Sequence, residues 1–242
     1  MGSVTEEEIK QAVKRRYAEL AVLEEPCCGP GSKGAGQESE VPAESANIAA
    51  SCGSPLIHTQ LKGGETVLDL GSGGGIDAFR ASKLVGDTGK VIGIDATPEM
   101  VFKARETAKK YNYQNVEFRL GEIEHMPIET GAVDVVISNC VLNLVPDKRK
   151  AFAEIYRVLK PGGRIAISDM VSTAGAKKQN INPDEWAACI AGAITSEEYR
   201  DVLEKSGFDD IKASDETHSI NDECCSKGIP VKSVAWSATK SR

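Results

Sequence analysis

Histidine is scarce in this chain, with three residues in 242, so chemistry that leans on imidazole as acid or base has little to work with. His58 and His125 read as hydrogen-bonding supports rather than bases. No stretch reaches the ~20 apolar residues of a membrane span. The N-terminus lacks the apolar core of a secretory signal. Met1-Gly2 is followed by Glu6 where a myristoylation signal carries Ser or Thr. Basic residues are outnumbered, 29 against 36 acidic, giving a net charge of −7 and an isoelectric point near 5.2. That balance argues against nucleic acid, whose phosphates need a basic face, and against an anionic membrane surface. No Cys-x-x-Cys spacing suggests a structural zinc site, and no internal repeat is visible. What the chain does have is seven cysteines. An odd count with no secretion signal points to a cytoplasmic protein whose thiols are mostly reduced. Such thiols are free for ligation or redox work, and they suit a thiophilic substrate.

Three stretches divide the chain: an N-terminal helix and loop over 1–46, a central domain over 47–170, and a capping region over 171–242. Residues 5–25 form an amphipathic helix opened by a Thr5/Glu8 capping box, with Ile9, Val13, Tyr17 and Leu20 on one face. Residues 26–46 lose periodicity and fill with Gly, Ser, Pro and Glu, as in a mobile loop. From residue 65 strands and helices alternate. Strands fall over 66–70, 90–94, 116–120, 133–138 and 164–168, and helices over 76–85, 98–111 and 148–159. The turn Lys160-Pro-Gly-Gly163 precedes the last of these strands. This alternation predicts an α/β, doubly wound, mostly parallel sheet. Helices near 184–193 and 196–206 and strands near 208–213 and 230–238 make a small C-terminal α+β extension.

Val67-Leu-Asp-Leu-Gly-Ser-Gly-Gly-Gly75 is a strand running into a glycine turn and a helix, where backbone can approach a ligand closely. The spacing departs from Gly-x-Gly-x-x-Gly, because Gly75 follows Gly73 by two residues and position 76 is Ile. That disfavours a pyrophosphate cofactor. Asp95 ends the second strand, where a carboxylate can accept both hydrogen bonds of a ribose diol. Gly121-Glu-Ile-Glu-His-Met126 follows the third strand, where an adenine edge would lie. Cys140 follows the fourth strand, Val133-Asp-Val-Val-Ile-Ser-Asn139. Ligands of such sheets bind at the strands' carboxyl ends, so this thiol would face a cofactor's reactive group.

Val67-Leu-Asp-Leu-Gly-Ser-Gly73, Gly93-Ile-Asp95 and Leu159-Lys-Pro-Gly-Gly163 together resemble class I S-adenosylmethionine-dependent methyltransferases over roughly residues 60–170. The resemblance implies S-adenosylmethionine as cofactor. Gly71 and Gly73 would approach its methionine part, Asp95 its ribose, and Ile123 with Glu124 its adenine. Asp69, Ser72, Ala96 and Asn139 complete the set. Ser138-Asn-Cys-Val-Leu-Asn-Leu144, Leu144-Val-Pro-Asp-Lys148 and Trp186-Ala-Ala-Cys-Ile-Ala-Gly-Ala193 resemble the arsenite methyltransferase family specifically, over most of residues 46–210. In that family three cysteines hold trivalent arsenic, and Cys52, Cys140 and Cys189 stand in their places.

The chemistry agrees with that resemblance, since soft thiolates select soft centres. Three sulfurs around trivalent arsenic leave a lone pair as nucleophile, so the enzyme mainly supplies alignment and a dry site. The products would be methylated arsenicals, made in arsenic detoxification. Two adjacent pairs remain, Cys27-Cys28 and Cys224-Cys225. They could capture arsenite, relay oxidising equivalents to thioredoxin or another dithiol reductant, or be ordinary surface thiols. Asn139 and Asn143 satisfy backbone groups or touch the cofactor. Trp186 and Met126 are candidates for the pocket lining, though Trp186 reads first as a core residue. Two other readings stand beside this one: a quinone- or sterol-type small-molecule methyltransferase, and a non-catalytic thiol-based arsenic-binding protein.

Overall fold

The computed structural model describes residues 4–23, 41–46, 53–173, 182–188, 190–215 and 230–242. The elements run in the order α1 (Glu6–Leu23), α2 (Ala43–Ala46), β1 (Thr66–Leu70), α3 (Ile76–Val85), β2 (Lys90–Asp95), α4 (Pro98–Lys110), β3 (Val116–Leu120), β4 (Val133–Asn139), α5 (Lys148–Val158), β5 (Leu159–Ser172), α6 (Pro183–Trp186), α7 (Ser196–Lys205), β6 (Phe208–Asp215) and β7 (Val231–Lys240). They build one seven-stranded sheet in the order β3-β2-β1-β4-β5-β7-β6. The first five strands are parallel, while β7 runs antiparallel to both β5 and β6. The C-terminal α+β extension is therefore continuous with the main sheet and completes its edge.

Side chains alternate across a strand, and here the alternation splits two cores. Leu68, Leu70, Ile165 and Ile167 point with Phe152 and Ile155 of α5 and Tyr199 and Leu203 of α7 into one. Val67, Val135, Ile137 and Ala166 point with Phe79 of α3 and Ala104 of α4 into the other. Helices thus cover both faces, as strands buried on both sides require. The Thr5/Glu8 capping box is present, with the Thr5 N–H on Glu8 at 2.8 Å and the Glu8 N–H on the Thr5 hydroxyl at 3.2 Å.

Four expectations change. Lys160-Pro-Gly-Gly163 lies within β5, because Leu159 pairs with Val133 and Arg164 with Val135, leaving the residues between as a bulge. β5 then continues past Ser168 to Ser172, because β7 adds a pairing from far along the chain. The helix expected near 184–193 stops at Trp186. The chain beyond it packs tightly: a Cβ on Gly192 would lie 1.9 Å from the Asn143 carbonyl and 2.9 Å from the Trp186 ring. Within the loop expected over 26–46, Ala43–Ala46 is a helical turn; residues 26–40, with Cys27 and Cys28, lie outside the described residues.

Candidate active site

The connections from β1 and from β4 leave toward opposite edges of the sheet, which opens a crevice at the carboxyl ends of these neighbours. A cleft partly open to solvent lies there. Asp69, Gly71, Ser72, Gly73, Asp95, Ala96, Ile123, Glu124, Asn139 and Cys140 all line it, so residues spread over 72 positions of sequence meet around one space.

Gly71 turns the chain away from β1 with φ of 63°, and a Cβ there would lie 2.3 Å from a methyl of Val141. Only glycine fits. The turn is tied down from two sides. The Gly73 N–H donates to Asp95 at 2.9 Å, and the buried Ser45 hydroxyl donates to the Gly74 carbonyl at 2.7 Å. Asp95 also accepts the Thr97 N–H at 2.8 Å. The Thr97 hydroxyl and the Ala96 N–H also donate to it, so the carboxylate anchors the turn at the place where a ribose diol would bind. Asn139 donates to the Gly53 carbonyl at 3.0 Å and to Asp77 at 3.1 Å.

Charge in the wall is lopsided. Asp69 is buried, and its Oδ2 has no hydrogen-bond partner. Burial, with Asp77 and Asp95 nearby, pushes its carboxyl well above the ordinary range. Burial raises Asp95 as well, against the backbone N–H groups of Thr97 and Gly73. Three neighbouring carboxylates, with Asp69 Oδ2 left without a donor, fit a cationic ligand.

Helix α1 lies against the opening and contributes Lys10, Val13, Lys14 and Tyr17 to the lining. Lys10 reaches Glu122 at 2.9 Å and Glu124 at 3.2 Å, and Lys14 reaches Glu122 at 2.7 Å. Those ammonium groups hold the Glu122 carboxyl down at about 2. On the other side Arg15 pairs with Asp184 of the α6 segment.

Cys140 sits in the cavity wall at 2% exposure, packed on Met170, with its N–H on the Ser168 carbonyl at 2.8 Å. Its φ is 60°. A left-handed backbone at a residue with a Cβ is strained, and such strain collects at functional sites. Cys140 is disulfide-bonded in this structure. In the disulfide form its sulfur has no valence left for a substrate, so reduction must precede ligation. Cys27, Cys28, Cys52, Cys189, Cys224 and Cys225 lie outside the described residues. Among the described residues no cluster of three His, Cys, Asp or Glu side chains is arranged to hold a metal ion.

Met126 is not in the wall; it packs in the core, its N–H bonded to Glu154 at 2.9 Å. Trp186 is buried behind the cavity, donating to the Leu144 carbonyl at 3.0 Å. His58 and His125 are both exposed. Reading the sequence missed Asp77 and the α1 residues. Asp77, an acid in the first turn of a helix that follows a glycine turn, was a visible signal. The apolar face of α1 was visible too, but not what it would cover.

Strand order, crevice and glycine turn define a class: an α/β protein that binds a nucleoside-type cofactor. The chain belongs to the methyltransferase domain family, whose model matches residues 61–207. It is 42% identical over 236 residues to an arsenite methyltransferase of Halobacterium salinarum, a match covering 88% of this chain and 60% of that protein. The chain thus spans about 60% of the length of that curated relative. Its structure is similar to that of an arsenic(III) S-adenosylmethionine methyltransferase from Chlamydomonas reinhardtii, with a TM-score of 0.67 and 31% identity, covering 84% of this chain and 71% of that one. Similarity to a demethylmenaquinone methyltransferase of Lactococcus lactis, 41% identical, covers 42% of this chain and 40% of that protein.

Proposed function

We propose that this chain transfers methyl groups from S-adenosylmethionine to trivalent arsenic held by the thiolates of Cys52, Cys140 and Cys189. The products are methylated arsenicals, and the setting is cytoplasmic arsenic detoxification. The observation that carries the reading is Cys140: a buried cysteine, strained into its backbone position, in the wall shared with the residues suited to the cofactor.

When bound, S-adenosylmethionine supplies an electrophilic methyl, which arsenic accepts through its lone pair. The chain's own residues align and desolvate. Asp95 and the Gly71–Gly73 turn hold the ribose and methionine parts, and Asp69, with its unpartnered Oδ2, is suited to the ammonium group. Ile123 and Glu124 border the adenine. Cys140 offers sulfur from the end of β4, and Met170 keeps its surroundings apolar. No side chain need remove a proton, which fits the exposed positions of both described histidines near the sheet.

Methyl transfer raises arsenic formally to the pentavalent state, so two electrons must return for a trivalent product to form. Two coordinating thiolates can give them, leaving a disulfide, and thioredoxin or another dithiol would then restore the thiols. The disulfide at Cys140 supports this part of the reading. A quinone-type reading has no use for a strained cysteine in the wall, and its relative matches less than half of the chain. A binding-only protein that retains the cofactor would use the same carboxylates, and turnover is what separates it from this reading.

The test is direct. Reduced protein is incubated with arsenite, S-adenosylmethionine and a dithiol, and arsenic species are separated by chromatography. Methylated arsenic is expected from the parent and none from Cys140→Ser or Cys189→Ser, while Cys52→Ser keeps part of its activity on methylarsenite, which needs only two thiolates. Parental rates in Cys140→Ser would end the thiolate model.

A further inference from the structure

A second polar cluster lies behind the cavity, inside the protein. Asp169 of β5 and Tyr199 of α7 have no exposed surface, and Lys148, the first residue of α5, is 8% exposed. A lysine at that place is doubly unfavourable: it is buried, and it stands at the positive end of a helix dipole. Its position needs partners of opposite character. Lys148 is close enough for its charge to hold the Asp169 carboxyl down against burial, donates to the Val145 carbonyl at 3.3 Å, and lies over the Trp186 ring at 5.7 Å. The Tyr199 hydroxyl approaches the same carboxylate without closing a full hydrogen bond to it. The Tyr199 ring is stacked on Trp236 at 4.6 Å and set edge-on to Phe152.

Three pieces of backbone converge on this cluster, and all adjoin Cys140 or Trp186. Asp169 accepts the Met170 N–H at 3.1 Å and the Asn143 N–H. Met170 is the side chain packed on Cys140. Asn143 belongs to the 3₁₀ turn Leu142–Leu144 that follows Cys140, and its side chain donates to the Met170 carbonyl at 2.8 Å. Trp186 both caps Lys148 and bonds the last carbonyl of that turn. An apolar filling of equal volume would hold the elements together at less desolvation cost, but it would not fix their mutual directions. We infer that Lys148, Asp169 and Tyr199 are positioning residues of the thiol site: none lines the cavity, and together they hold the Leu142–Leu144 turn, Met170 and Trp186 in one arrangement around Cys140.

This inference rests on the arsenic methylation proposed above. The experiment compares the parent with Lys148→Met, Lys148→Arg and Tyr199→Phe, all prereduced. For each variant it measures S-adenosylmethionine affinity by calorimetry, melting, and kcat and KM for arsenite. Lys148→Met is expected to bind S-adenosylmethionine within about twofold of the parent while kcat falls at least about tenfold and KM moves less, as misalignment without lost binding requires. Lys148→Arg, which keeps the charge, should recover a part of the rate, and Tyr199→Phe should lose a smaller factor. A folded Lys148→Met with parental kcat overturns the inference, as does a parental kcat in Tyr199→Phe should Lys148→Met fail to fold. A parent that methylates no arsenite overturns the functional reading and this inference with it, whereas an active parent with unaffected variants overturns this inference alone.

Discussion

Replacing Asp95 with alanine removes two things at once. It deletes the acceptor placed for the cofactor's ribose, and it frees the Gly73 and Thr97 N–H groups now bonded at 2.9 and 2.8 Å. A hydrogen bond to a charged acceptor is worth ~1.5–3 kcal/mol. Water recovers part of the loss in the free protein, and burial already makes this carboxylate costly to ionise. A net loss of about 2–4 kcal/mol in binding remains, or roughly 30- to 700-fold in Kd at 1.4 kcal/mol per decade. Asp95→Asn keeps one acceptor and turns an N–H₂ toward one of the two backbone donors, so it should fall between parent and alanine. Calorimetric titration with S-adenosylmethionine, without arsenic, measures both. Because burial raises the Asp95 carboxyl, the parent's affinity should climb as pH rises through the acid range while the carboxylate forms. Asp95→Ala should lose that dependence. An alanine variant binding within about threefold of the parent, with the same pH dependence, would remove Asp95 from the ribose site.

Three further outcomes follow from the same geometry. Neutralising Lys10 and Lys14 together cuts the ties of α1 to Glu122 and Glu124; cofactor release in stopped flow should quicken by about 5- to 30-fold, from roughly 1–2 kcal/mol for partly buried pairs, and unchanged release would mean that α1 does not retain the cofactor. Burial raises Asp169 to about 7 from an ordinary 3.8, so its contribution to stability is complete below pH 4 and is lost as pH rises to 7. Against Asp169→Asn, the parent's urea stability should therefore decline over that window by a few kcal/mol, on the order of 4 at most; parallel pH curves for the two proteins would refute the shift. Multiple turnover should stall after about one cycle without a dithiol and resume with thioredoxin. Replacing Cys27, Cys28, Cys224 and Cys225 together should slow cycling while sparing a single prereduced turnover; cycling at the parent's rate under limiting thioredoxin would make them ordinary surface thiols.

Much of this protein was legible from its residues because the informative signals are local. A strand entering Gly71-Ser-Gly73, an acid at the end of the next strand, and a cysteine at the end of the fourth each depend on a few neighbours. Their order along the chain translates directly into adjacency at the carboxyl ends of a parallel sheet. Alternating strand and helix texture likewise places five strands and their helices to within a residue or two, apart from the two ends of β5. Long-range contact settled the rest. β5 runs through Lys160-Pro-Gly-Gly163 and on to Ser172 because Val133 and a strand some 60 residues later pair with it. α6 ends at Trp186, and the chain beyond it packs Gly192 against the Asn143 carbonyl and the Trp186 ring. Nothing near Lys10 or Asp77 in sequence says that they border the same cavity, and nothing near Lys148 says that it is buried beside Asp169. Local sequence carries backbone preference and periodicity; which charged side chains lose water, and beside whom, is decided only when distant segments pack.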